Sequence, residues 1–133
     1  MTDSDPREPL RALRKELLTL HREVIDSERV VYERSAGTIP SPAAFLQLLA
    51  HDAWFEWLRP LSQLIAAIDA AIADKKHPLT EEIARGFLTD TKSLLKPDEY
   101  GDGFGKSYFE VLQRDPHVVV AHAELMRFIA SSK

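Results

Sequence analysis

The spacing of apolar residues at the start of the chain constrains its fold most strongly. From Pro9 to about Arg34, apolar side chains recur every three or four residues, as on one face of an α-helix; they are Leu10, Leu13, Leu17, Leu20, Val24 and Val31. Asp5 and Pro6 supply a capping side chain and a first-turn proline. The sequence therefore predicts a long first helix that begins between Pro6 and Pro9, with residues 1–8 as a frayed terminus.

Two prolines shape the next segment. Ser41 and Pro42 provide an N-cap and a first-turn proline for a second helix. Further along, Pro60 lacks an N–H, and its ring collides with the carbonyl of the preceding turn. We therefore expect helix 2 to be kinked or broken at Pro60, with the apolar stripe continuing to Ala73.

Polar and glycine residues divide the last part of the chain. Thr80, followed by two glutamates, is a good start for a third helix. A loop with three glycines spans residues 97–106, a short helix follows, and Asp115 caps a final helix. The sequence thus predicts an all-α fold, a single-domain helical bundle of four to five helices over residues 1–133.

Composition narrows the classes of function. Cysteine is absent, which excludes disulfides, thiolate metal sites and a cysteine nucleophile. The N-terminus lacks the basic start and apolar run of a secretory signal, and no apolar stretch is long enough to cross a bilayer. A net charge of −4 lacks the basic footprint of a nucleic-acid-binding protein. We expect a cytoplasmic protein with neither a membrane nor a nucleic-acid partner.

Successive residues of an α-helix are rotated by about 100° around its axis, and this rotation places five polar residues on the apolar faces of the predicted helices. Two interpretations stay open. In one, the side chains bind a divalent metal such as iron, manganese or zinc, because bundles place carboxylates and imidazoles inward. In the other, no cofactor is bound and arginines such as Arg14, Arg29 and Arg59 satisfy the carboxylates. Asp52 has a further structural role open to it, because a break at His51 and Asp52 would let it cap the segment 53–58. The five candidates are His21, Glu28, Asp52, Glu56 and His122.

The opposite side of helix 2 carries aromatic and apolar residues, so this helix is predicted to be apolar on both sides. Such a second face can pack against another part of the chain, bind a ligand or contact a partner subunit. If the partner is a second copy of the chain, a homodimer is expected, because it is the commonest oligomer. Tryptophan and tyrosine are favoured at interfaces. The residues of this candidate face are Trp54, Trp57, Leu58, Tyr100, Phe104 and Tyr108.

No complete catalytic motif is present. The loop Gly101–Ser107 lacks the first glycine of a phosphate-binding loop and the strand that precedes it. Its glycines are expected to permit positive φ in a turn. No serine stands in a Gly-x-Ser-x-Gly elbow. These observations favour a non-enzymatic protein.

The segments 51–62 (HDAWFEWLRPLS), 104–109 (FGKSYF) and 112–117 (LQRDPH) resemble a family of small uncharacterised bacterial all-helical proteins. The resemblance implies a bacterial, stand-alone domain and brings no activity with it. From the residues themselves, we expect an interaction module that self-associates through the aromatic face, with a metal-binding bundle as the alternative.

Overall fold

The computed structural model describes residues 5–132, and within them the chain forms six α-helices, one 3₁₀ helix and no strand. The helices are α1 Arg7–Ala36, α2 Pro42–His51, the 3₁₀ helix Ala53–Leu58, α3 Arg59–Ala73, α4 Glu81–Leu94, α5 Phe104–Arg114 and α6 Pro116–Ser131. The all-helical class is confirmed, and the number of helices exceeds the four to five that were predicted. The part of the prediction that concerns residues 1–4 and residue 133 lies outside the described residues.

Local capping explains where most helices begin. The hydroxyls of Ser41 and Thr80 accept hydrogen bonds from the backbone N–H groups of Ala44 and Ile83, both at 3.1 Å. The Asp115 carboxylate accepts from the His117 N–H at 2.9 Å. Helix α1 begins at Arg7, so Arg7 and Glu8 are helical rather than frayed.

The end of α1 depends on a glycine. Gly37 has φ +89°, a conformation that L side chains rarely adopt, and its N–H donates to the Glu33 carbonyl at 3.0 Å. No other glycine among residues 5–132 has positive φ. The expected role of the glycines in the 97–106 loop was therefore wrong. Gly105 instead lets the backbone at Lys96 approach closely, because a Cβ atom at position 105 would lie 3.1 Å from the Lys96 carbonyl oxygen.

The predicted break in helix 2 is present, but it lies at Asp52 rather than at Pro60. Asp52 has extended backbone angles, and its carboxylate accepts a hydrogen bond from the Trp54 N–H at 2.8 Å. An aspartate that caps the next segment competes with continuation of the helix. Pro60 lies in the first turn of α3, where its missing N–H costs nothing.

Helix α1 lies at the centre of the bundle and contacts α3, α4, α5 and α6. Five of its apolar side chains are at most 1% exposed, as are several from the other helices. Helix α2 is different, because its principal neighbour is the 3₁₀ helix rather than the bundle. Within residues 5–132, no helix is long and apolar enough to cross a membrane.

Candidate functional site

A buried glutamate joins three parts of the fold. Glu28 is 6% exposed, and its Oε1 accepts a hydrogen bond from the Trp57 indole Nε1 at 2.7 Å. Its Oε2 accepts from the guanidinium of Arg114, whose Nε donates to Ser27 Oγ at 3.3 Å. Both carboxylate oxygens are thereby satisfied, as buried charges require. Glu28 thus fastens the 3₁₀ helix and the end of α5 to α1.

An aromatic column continues from the indole. The ring of Trp57 lies 5.4 Å from that of Phe104, and Phe104 stacks on Tyr108 at 5.6 Å. Tyr108 is fully buried, and its hydroxyl lies 2.6 Å from His122 Nδ1. Desolvation lowers the pKa of His122 and raises the pKa of Tyr108. The protonated phenol therefore donates to a neutral imidazole, and the column links the 3₁₀ helix to α5 and α6.

The five predicted metal ligands are not brought together. His21 Nε2 lies 3.1 Å from Ser62 Oγ, Asp52 caps the 3₁₀ helix, and Glu56 forms an exposed ion pair with Arg59 at 3.6 Å. Glu28 and His122 have the partners described above. Across residues 5–132, no group of three or more His, Asp or Glu side chains could hold a metal ion.

The predicted aromatic face is divided by the fold. Leu58 is 3% exposed, and Trp57, Phe104 and Tyr108 form the internal column. Two of its six residues are exposed. Trp54 is 37% exposed and meets the edge of the Tyr32 ring at 5.5 Å, whereas Tyr100 is 91% exposed. The six residues therefore do not form one continuous surface.

Helix α2 carries a surface that is free of charged residues. Residues 35–51 contain no Asp, Glu, Lys or Arg, although such residues make up 29% of the whole sequence. None of the α2 side chains is buried, and Leu46 is 65% exposed. An apolar helix face that is not covered marks an interaction surface more often than an isolated exposed leucine does.

One face of α2 attaches it to the bundle. Phe45, Leu48 and Leu49 are partly buried against the core, and the Phe45 ring lies 5.8 Å from that of Phe55. The guanidinium of Arg29 lies over Phe45, 5.1 Å from the ring centre. The opposite face, with Ala43, Leu46, Gln47 and Ala50, is exposed. We name these four residues the α2 outer face.

The sequence analysis missed the α2 outer face, although the charge-free run 35–51 could have revealed it. The positions of Trp54 and Trp57 predicted the second apolar face on the far side of a helix 2 that continues without a break to Pro60. The break at Asp52 separates α2 from those tryptophans.

Comparisons with protein-family models, with curated proteins and with solved structures found no match to the chain. The residues and their geometry are therefore the basis for a proposed function.

Proposed function

We propose that this chain is an interaction module that self-associates through the α2 outer face. The observation that carries the proposal is an apolar, charge-free helix with no buried residue, held beside the bundle rather than within it. The exposed aromatic residue Trp54 follows two residues after the break that ends α2. Of the other predicted face residues, Trp57, Leu58, Phe104 and Tyr108 support the fold from inside, and Tyr100 is exposed.

The spacing of the apolar residues favours a helix partner. Ala43, Leu46 and Ala50 are three and four residues apart, so they lie on one side of α2. The two alanines flank the protruding leucine and allow another helix to approach closely. A leucine from the partner can then lie beside Leu46 and over one of the alanines, as a ridge in a groove.

A second copy of the chain is the partner that the charge pattern favours. The α2 outer face presents no charge for a charged partner to complement. Two such faces related by a two-fold axis meet without repulsion between like charges. Net charge of −4 elsewhere opposes random association and leaves this neutral face as the preferred contact.

The size of the face sets the expected affinity. Ten residues at about 1.5 Å per residue give a helix of about 15 Å. Such a contact falls at the small end of specific interfaces, which are typically weak and transient. We expect a dimer that forms in the micromolar range and dissociates on dilution.

Sedimentation velocity over a concentration series tests the proposal. The wild-type chain should shift from monomer to dimer with rising concentration, and Leu46→Glu should stay monomeric because it places two carboxylates in the contact. Ile83→Glu is the matched control, since Ile83 is 46% exposed on α4 and should leave the dimer intact. A wild-type chain that is monomeric throughout, or equal loss in both variants, would refute the proposal.

A further inference from the structure

A serine and a histidine meet at the wall of a cavity that α2 borders at its C-terminal end. Ser62 Oγ lies 3.1 Å from His21 Nε2, within hydrogen-bond reach. Ser62 is exposed on α3, and His21 is half-buried on α1. The cavity that both line measures about 200 Å³. This juxtaposition has no part in the self-association proposed above.

The imidazole is in the state that a general base needs. Desolvation lowers the pKa of His21 below 6.5, so the ring is neutral at physiological pH. With its proton on Nδ1, the ring accepts the Ser62 hydroxyl proton at Nε2. Helix α2 contributes only Leu49 and Ala50 to the cavity, and the charged groups that line it with His21 are Glu56 and Arg59.

The rest of the cavity suits a short acyl group beside a developing negative charge. Its apolar walls are Ile25, Leu49, Ala50, Phe55 and Leu58. A volume of 200 Å³ equals about seven water molecules at liquid density, enough for an acyl chain of about four carbons. Arg59 lines the same cavity three residues before Ser62 on α3, and its guanidinium, which lies 3.6 Å from Glu56 Oε1, can turn toward an oxyanion.

We infer that Ser62 is a nucleophile, with His21 as its base, for acyl transfer from esters of short-chain carboxylic acids. Ser62 Oγ forms a bond to the ester carbonyl carbon while its proton passes to His21 Nε2. The tetrahedral intermediate collapses, the ester C–O bond breaks, and the alcohol departs with that proton. Water then adds to the acyl-serine with His21 as base, and the carboxylic acid is released as Ser62 regains its proton.

A fluorophosphonate probe tests the nucleophile directly, because it forms a covalent bond to an activated serine and the site can be mapped by peptide mass spectrometry. The wild-type chain should gain one label, at Ser62, and Ser62→Ala should gain none. Ser93→Ala is the matched control, since Ser93 is an exposed helical serine on α4.

The base has its own readouts. His21→Gln should slow labelling by about 100-fold, the lower range for loss of a general base, while the exposed His77→Gln should not. The labelling rate should rise with pH and level off, with a midpoint below 6.5. Hydrolysis of p-nitrophenyl butyrate should follow the same order of variants, and the circular dichroism of each should match the wild type.

Leu46→Glu separates this proposal from the self-association, because a monomeric chain should still be labelled at Ser62. Absence of label, label spread over several serines, or a His21→Gln rate equal to the wild type would overturn the assignment.

Discussion

Replacement of Glu28 by alanine is expected to destabilise the fold more than any surface substitution. Glu28→Ala removes the acceptor of the Trp57 indole N–H and the partner of the Arg114 guanidinium. An unsatisfied buried donor costs about 1–3 kcal/mol, and a broken buried ion pair costs about 3–5 kcal/mol. Because the Arg114 side chain is 33% exposed and can rehydrate, the ion pair contributes about 2 kcal/mol of this loss and the indole N–H about 1 kcal/mol. We expect a loss of about 3 kcal/mol in the free energy of unfolding.

Urea denaturation followed by circular dichroism measures this loss. With an m-value of about 1.5 kcal/mol per molar urea, the midpoint should fall by about 2 M. Glu56→Ala is the matched control, since Glu56 was also predicted to point inward but its side chain is 62% exposed in an ion pair with Arg59. Exposed pairs contribute about 0–1 kcal/mol. Equal midpoint shifts in the two variants would refute the argument from burial.

Three further results are expected. Burial lowers the folded-state pKa of His21 and His122 below 6.5, so the unfolded chain binds more protons than the folded chain as the pH falls through that value. Calorimetry should therefore show that the stability of the fold is retained above pH 6.5 and decreases below it. The decrease should be smaller in His122→Gln. Gly37→Ala should cost about 1–3 kcal/mol in chemical denaturation because of its positive φ, whereas Gly86→Ala, in a helix with free space around its Cα, should not destabilise the fold. Addition of Zn²⁺ or Mn²⁺ should leave the melting temperature unchanged, because no three ligand side chains among residues 5–132 are grouped so as to hold a metal ion; a rise that depends on metal concentration would contradict this.

Features that depend on local chemistry could be predicted from the sequence. The caps at Ser41, Thr80 and Asp115 lie where the sequence indicates, because a capping side chain bonds to backbone groups two or three residues away. The apolar repeat of α1 likewise identifies the side chains that form the core. Such signals do not depend on how the helices pack.

Features that depend on distant contacts could not be predicted. Arg114 pairs with Glu28 although the two residues are 86 positions apart in the sequence. No local sequence pattern indicates Arg114 as the partner of Glu28 in preference to arginines that are nearer in the sequence. The projection of helix 2 assumed one continuous helix to Pro60. Because Asp52 ends α2, the residues that follow are rotated out of that projection, and Glu56 lies at the surface instead of the core.

Cysteine cross-linking tests the proposed self-association most directly, because the chain contains no cysteine of its own. A disulfide requires Cα atoms about 4.4–6.8 Å apart, so Gln47→Cys on the α2 outer face can link two copies only when their α2 helices pack together. Gln113→Cys, an exposed position on α5, is the matched control. The account predicts a covalent dimer for Gln47→Cys under mild oxidation and a monomer for Gln113→Cys. A monomer in both, or equal dimer in both, would contradict it.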